Sequence, residues 1–298
     1  MKKLTIGLFA DGQWSHQLFE KLIKNKKIII KFICSRYKSS DNLIGTLARK
    51  KNLPLYRFKN INSNLASKTL SQYSCDLFVS MSYDQIFEKQ IISIPSKGII
   101  NCHAGKLPDY KGRNVLNWAI INGEKYYGIT THFINEKIDE GNIILQKQYK
   151  ILDSDDYDKI LIKSYVRCSN LMYLTIKKFL HNDIFSYSQK NIKSRKRYFK
   201  KRNAKDEKID WSKNIKDIYN LIRGISPPAP GAKSYLSKRI IRFYRAKILN
   251  NYQTRIQYQN GAIIEVKKNH FLVNCKNGVL KILDWDYKNN IVKGKILR

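Results

Sequence analysis

The first hundred residues alternate between short apolar runs and amphipathic stretches, and that alternation restricts the fold more than any other feature of the chain. Leu4–Ala10, Ile28–Cys34, residues 77–82 and residues 98–102 are β-branched or apolar almost throughout. Runs of this kind suit strands covered on both faces, as in parallel sheets. Between them, Trp14, Leu18, Phe19 and Leu22 fall at helical spacing, and residues 42–51, 63–71 and 85–92 also read as helices. Residues 54–58 read as a short strand. The pattern predicts an α/β fold with a doubly wound, mostly parallel sheet, whose ligands bind beyond the C-terminal ends of the strands. The first turn, Ala10-Asp11-Gly12-Gln13-Trp14-Ser15, carries no G-x-G-x-x-G, and no G-x-x-x-x-G-K-[ST] occurs anywhere. Dinucleotide binding of the usual kind and P-loop chemistry are thereby excluded.

The second half changes character. Residues 114–121 read as a helix, and 127–133 and 142–149 as strands flanking a loop at 137–141. Residues 155–180 form a long amphipathic pattern, with Asp155 and Asp156 near its start, where the helix dipole favours acids. The run Lys193-Ser-Arg-Lys-Arg-Tyr-Phe-Lys-Lys-Arg202 then breaks the hydrophobic pattern. After a helix at 214–224 and the turn Pro227-Pro228-Ala229-Pro230-Gly231 come short β-like runs at 240–244, 262–266, 271–275 and 279–283. Short strands after one helix suggest a small barrel or sandwich. The expected division is residues 1–192, a basic linker at 193–208, and a second domain at 209–298.

Lys and Arg number 57 against 23 Asp and Glu, so the 298 residues carry a formal charge of 57 − 23 = +34. Such a charge points to nucleic acid when it is gathered on one face. Here Lys, Ile and Asn are abundant in every element, which reads as a global bias, and nucleic acid is disfavoured as a partner. The run 193–202 reads as a solvated linker, with a polyanion-facing patch as the other reading. The five cysteines, at 34, 75, 102, 168 and 275, form no C-x-x-C. They read as buried or incidental thiols, and no metal is expected. No apolar stretch approaches the ~18–20 residues that span a bilayer. Met1-Lys2-Lys3 runs into a strand broken by Asp11-Gly12, which is no signal peptide, so a cytoplasmic location without a membrane partner is expected.

The densest chemistry lies in Asn101-Cys102-His103-Ala104-Gly105-Lys106-Leu107-Pro108, at the end of a predicted strand. Asn101 and His103 are two apart and share a face. An Asn amide can donate to a developing oxyanion, and a neutral imidazole can take the proton of an attacking amine. Donor and base side by side suit acyl transfer to an amine. Asp139 lies shortly before Gly141, where it serves either the turn or, brought near a histidine, the orientation of that ring.

Residues 101–146 resemble the folate-dependent formyltransferase family. The match runs through Asn101-Cys-His103, Leu107-Pro108, Tyr110-Lys-Gly112-Arg113, Trp118-Ala-Ile, Asn122-Gly-Glu124, Gly128-Ile-Thr130 with His132, and Asp139-Glu-Gly141-Asn-Ile143-Ile. Ile209-Asp210-Trp211-Ser212, residues 218–223, Pro227-Pro228 and Pro230-Gly231-Ala232 resemble the start of the family's C-terminal domain, and Gly278-Val-Leu-Lys-Ile-Leu a later strand. The resemblance implies a Rossmann-like formyltransferase domain followed by an OB-like β-barrel. It implies 10-formyltetrahydrofolate as co-substrate, with Asn101 steadying the oxyanion, His103 accepting the amine proton and Asp139 holding His103. The folate would lie along residues 80–86, with Met81, Tyr83 and Ile86, and along the loop with Gly141.

The resemblance also bears on the acceptor. In the tRNA enzymes of the family a long basic insertion follows the second strand. Here Cys34-Ser35-Arg36-Tyr37-Lys38-Ser39-Ser40-Asp41 leads straight into a helix. Residues 102–114, with Asn114 after Gly112-Arg113, look like the enzymes acting on nucleotide-linked amino sugars, by analogy a dTDP-linked 3- or 4-amino sugar of surface polysaccharide such as lipopolysaccharide. Lys106, Lys111 and Arg113 are then candidate anion contacts, and Tyr110 and Trp118 candidates for stacking. A methionyl-tRNA formyltransferase is the alternative, and a polyanion- or RNA-binding protein without activity is the reading from another class. A homodimer through the C-terminal domain or residues 127–149 stays open.

Overall fold

The structure, a computed structural model, describes residues 3–195, 197–249, 252 and 257–298. Lys196, within the basic run, lies outside them. The chain forms two compact units that interleave along the sequence. One takes residues up to 112, 128–149 and 162–198, and the other takes 113–127, 150–161 and 199–298.

In chain order the elements are β1 (Leu4–Ala10), α1 (Gln13–Lys24), β2 (Ile28–Cys34), α2 (Asn42–Lys50), β3 (Leu55–Tyr56), α3 (Asn64–Ser71), β4 (Leu77–Met81), α4 (Lys89–Ile92) and β5 (Ile99–His103). There follow β6 (Lys111–Gly112), α5 (Val115–Ile121), β7 (Tyr126–Phe133), β8 (Ile143–Lys150), α6 (Tyr157–Leu180) and β9 (Tyr198–Phe199). The last are α7 (Ile215–Gly224), β10 (Ala232–Leu236), β11 (Arg239–Leu249), β12 (Ile263–Lys267), β13 (His270–Cys275) and β14 (Gly278–Asp286).

The first unit is built on a seven-stranded sheet of order β3-β2-β1-β4-β5-β7-β8. The first five strands run parallel, and β7 is antiparallel to β5. This is the doubly wound, mostly parallel sheet that the alternation predicted. Every residue of β4 is buried, as a strand covered on both faces requires. Phe9, Phe32, Phe78, Tyr83 and Phe87 pack largely edge-to-face on one side of the sheet. Gly7 makes this packing possible, because a Cβ there would stand 2.3 Å from the Phe32 ring and 2.8 Å from that of Phe78. Asp41 caps α2 and Ser63 caps α3 with their side chains. The helix expected at 85–92 is only α4. Gln85 is committed to the carbonyl of Phe58 and the N–H of Ile61, and Asn62 binds the Ile86 carbonyl, so residues 85–88 follow the 58–62 loop instead of a helix.

In the second unit α7 packs on a five-stranded antiparallel sheet of order β10-β11-β14-β13-β12. Trp211, Ile222, Phe243, Phe271, Ile282 and Leu297 are among its buried residues. Residues 295–298 bridge its two outer strands. Ile263 donates to the Lys295 carbonyl and Leu297 to that of Gly261, while Tyr235 and Arg298 exchange both backbone bonds at 2.7 and 2.9 Å. Strand β10 was not expected, because its inward positions are Ala232, Ser234 and Leu236, too small and polar to read as a strand face.

Candidate active site

Asn101 and His103 occupy the last turns of pleat of β5, two residues apart on one face. The β5–β7 register places His132 directly opposite Asn101 and Thr130 opposite His103. Directly opposed residues of an antiparallel pair lie within contact distance. Nδ1 of His132 donates to the Phe133 carbonyl at 2.8 Å, which leaves Nε2 as an acceptor for the Asn101 amide at 3.2 Å. One N–H of Asn101 is thereby held toward β7, and the amide plane is fixed.

His103 is 8% exposed. The Tyr110 carbonyl can only accept, so Nε2 of His103 carries a proton and donates to it at 2.6 Å. The nitrogen left with a lone pair is Nδ1, and Oδ2 of Asp139 lies 3.6 Å from it. The other carboxylate oxygen lies 3.6 Å from Nε2 of His132. Asp139 also accepts the Gly112 N–H at 2.8 Å. Burial drives its carboxyl upward, but the His103 and His132 rings in their protonated forms, together with the Gly112 N–H, outweigh that effect. The net result lies well below the ordinary carboxylate range. The surroundings of Asp139 thus favour its anion.

Gly105 is what lets His103 reach Tyr110. A Cβ at position 105 would lie 2.4 Å from Nε2 of His103 and 2.3 Å from the Tyr110 carbonyl oxygen. Thr130 holds the turn between them. Its hydroxyl donates to the Gly105 carbonyl at 2.7 Å and accepts the Leu107 N–H, while Gln146 donates to the Leu107 carbonyl and to Thr130. Neither the glycine nor this bracket is visible as chemistry in the sequence. His132 enters the sequence reading only through the family match, beside Gly128-Ile-Thr130.

The structure brings Asn101, His103 and Asp139 together in the first unit. Tyr110 is buried, with the Arg197 guanidinium 4.7 Å above its ring and bonded to its hydroxyl at 3.1 Å. Lys111 is buried and pairs with Glu140 at 2.8 Å. Lys106 is half-buried at the foot of the turn, where its carbonyl accepts the Tyr110 N–H. Met81 is buried at the end of β4. Tyr83 is half-buried, its hydroxyl 3.7 Å from the Cys34 thiol, and burial and Cys34 push its phenol up. Ile86 is 56% exposed and lines a groove with Phe87, Glu88, Lys89, Gln90 and Glu136. Gly141 is packed so closely that a Cβ would meet the Phe133 carbonyl oxygen. Arg113 and Trp118 belong to the second unit, where Arg113 donates its N–H to the Phe199 carbonyl and Trp118 stacks on the Phe199 ring at 5.6 Å. Among the described residues no group of three or more His, Cys, Asp or Glu side chains is placed to hold a metal, and no helix is long and apolar enough to cross a membrane.

The sequence pattern of the formyl transferase family matches residues 10–169, and that of the formyl transferase C-terminal domain matches residues 201–294. The bifunctional polymyxin resistance protein ArnA of Wigglesworthia glossinidia brevipalpis is 34% identical over 276 residues, which is 87% of this chain and 41% of ArnA. The chain thus spans less than half of that relative. The methionyl-tRNA formyltransferase of Clostridium tetani is 32% identical over 244 residues, covering 82% of this chain and 77% of the enzyme. The solved N-formyltransferase of Helicobacter canadensis, in complex with folinic acid and dTDP-3-aminofucose, superposes with a TM-score of 0.73 at 21% identity, covering 96% of this chain and 100% of that one. The doubly wound sheet, the residues gathered at the end of β5 and these matches agree: the chain belongs to the formyl transferase family and is a folate-dependent formyl-transfer enzyme with both of that family's domains.

Proposed function

We propose that the chain moves the formyl group of 10-formyltetrahydrofolate to the amine of a nucleotide-linked, dTDP-bearing amino-deoxy sugar. The observation that carries the acceptor is the link between β2 and α2. Seven residues, 35–41, join the two elements. They are pinned at both ends: Arg36 binds the Ser82 carbonyl and hydroxyl and donates its N–H to Asp11, and Asp41 caps α2 and accepts the Gly12 N–H. Such a link has no free length to reach into an acceptor stem. The fold shared with an enzyme crystallised with a dTDP-amino sugar supports the same reading.

The groove lined by Ile86 is the candidate seat of the co-substrate. An exposed apolar side chain, Ile86, stands among the carboxylates of Glu88 and Glu136 and the amide of Gln90. That combination suits a flat heterocycle rich in N–H donors. When bound there, the folate supplies an activated formyl group. The remaining work belongs to this chain. Asn101, its amide fixed by His132, donates to the formyl oxygen as negative charge grows on it. Nδ1 of His103 takes the proton from the attacking amine, and the Asp139 carboxylate beside it stabilises the imidazolium so formed. His103 returns the proton to the departing folate nitrogen, so charge and protons balance.

The test gives the purified protein 10-formyltetrahydrofolate with a panel of nucleotide-linked amino sugars, and separately methionyl-tRNA, and follows the products by mass spectrometry. A one-formyl mass gain on a sugar, lost in His103→Ala, is the expected result. Formylation of methionyl-tRNA alone, the activity of the Clostridium tetani relative, overturns the acceptor and keeps the chemistry.

A further inference from the structure

The turn that carries Asp139 is held at both ends by one side chain outside the reacting groups. Nε2 of Gln189 donates to the carbonyl of Asp139 and to that of Gly141, each at 2.8 Å. Gln189 is 5% exposed. Both partners only accept, so the amide must present its NH2 to them. Oε1 then faces the other way, buried, and meets no donor among the described residues. The two donated bonds thus set the orientation of the amide.

The local chain places Gln189 for this contact. Tyr187 and Ile143 exchange both backbone bonds, at 2.9 and 3.0 Å, which fastens the segment to the start of β8. Ser188 then caps a short turn over residues 189–191. The turn being held is strained, since Asp139 has φ 54, a left-handed conformation that an aspartate adopts only when its surroundings impose it. Lys111 grips the same turn through Glu140.

We infer that Gln189 is the positioning residue for Asp139: by bridging the carbonyls of Asp139 and Gly141 it keeps the carboxylate against Nδ1 of His103, and it acts on the reaction through Asp139 alone. The inference rests on His103 and Asp139 working as described under the proposed function.

Gln189→Met keeps the length and removes both bonds, and Gln189→Glu keeps the shape but sets a carboxylate against two carbonyl oxygens. In either variant kcat is expected to fall about 10–100-fold, with the KM of the acceptor unchanged. Asp139→Asn already lacks the charge being positioned, so adding Gln189→Met to it should cost less than about twofold more. A second readout needs no acceptor. In the substrate-free protein the NMR chemical shifts of the His103 ring nitrogens should change in Gln189→Met, as in Asp139→Asn, while His132 and the Lys111–Glu140 pair remain in place. A wild-type kcat and an unmoved ring in a folded variant overturn the inference, and so does a loss that multiplies in full with Asp139→Asn. If the wild-type protein formylates no amine, the proposed function fails, while the ring chemical shifts still judge Gln189.

Discussion

Oδ2 of Asp139 stands 3.6 Å from Nδ1 of His103, on the one ring nitrogen that the Tyr110 carbonyl leaves without a proton. A carboxylate there favours the protonated ring, so it stabilises the state that forms as the amine gives up its proton. Asp139→Asn keeps the shape and removes the charge. Its kcat is expected to fall about 10²- to 10⁴-fold, the usual range for losing a proton-transfer partner, with the thermal midpoint little changed.

Gly105 supports a separate prediction. A methyl group at that position would occupy the space of the His103–Tyr110 hydrogen bond, with the backbone carbonyl of Tyr110 as its unyielding neighbour. Gly105→Ala should lower kcat at least tenfold and cost about 1–3 kcal/mol of stability, as overpacked sites do. Steady-state kinetics and urea unfolding on the same preparation check both. Full activity shows that the turn can shift without moving the ring.

The shared face of Asn101 and His103 on β5 was legible because a strand's period of two puts them on one side whatever surrounds them. That Asp139 joins them was not legible from spacing, since the loop between β7 and β8 is held on the site by contacts with residues far off in sequence, Gly112, Lys111 and Gln189 among them. Gln189 itself left no trace, because its partners are backbone carbonyls and any residue supplies those. The parallel strands read plainly for the opposite reason, that burial on both faces demands unbroken apolar runs. β10 escaped because Ser234 points inward, its hydroxyl accepting from the Trp211 indole and donating to the Arg298 carbonyl.

Asp41 links the turn after β1 to the start of α2. Oδ2 accepts the Gly12 N–H at 2.7 Å and faces Nε2 of His16 at 2.8 Å, while Oδ1 accepts from Leu43 and Ile44. Burial raises its carboxyl, but His16 and the Ile44 and Gly12 N–H donors outweigh that, and the net shift is downward. A depressed carboxyl adds stability that is fully present above the unfolded value, near 3.8, and is lost as the pH falls through the folded value. Asp41→Ala should therefore cost about 1–2 kcal/mol at pH 7, the range for losing a cap with its charge. The gap to wild type should close below pH 4. Urea titrations at pH 7 and pH 3 measure it, and a gap of constant size rules the linkage out.

The barrel-like sheet of the second unit depends on Gly261. It has φ +82, a Cβ there would lie 2.6 Å from the Leu297 carbonyl oxygen and 3.2 Å from the Trp211 ring, and its own carbonyl accepts the Leu297 N–H. The position combines a left-handed backbone with a closely packed strand, and each alone disfavours a side chain. Gly261→Ala should destabilise by about 2–4 kcal/mol, the sum of a strained φ and an overpacked contact. Leu297→Pro removes the donated N–H from the other side and should act in the same direction. If residues 295–298 close the sheet, the two changes together should cost less than their sum, because each undoes the same contact. Full additivity in urea unfolding would show that the segment merely lies against the sheet.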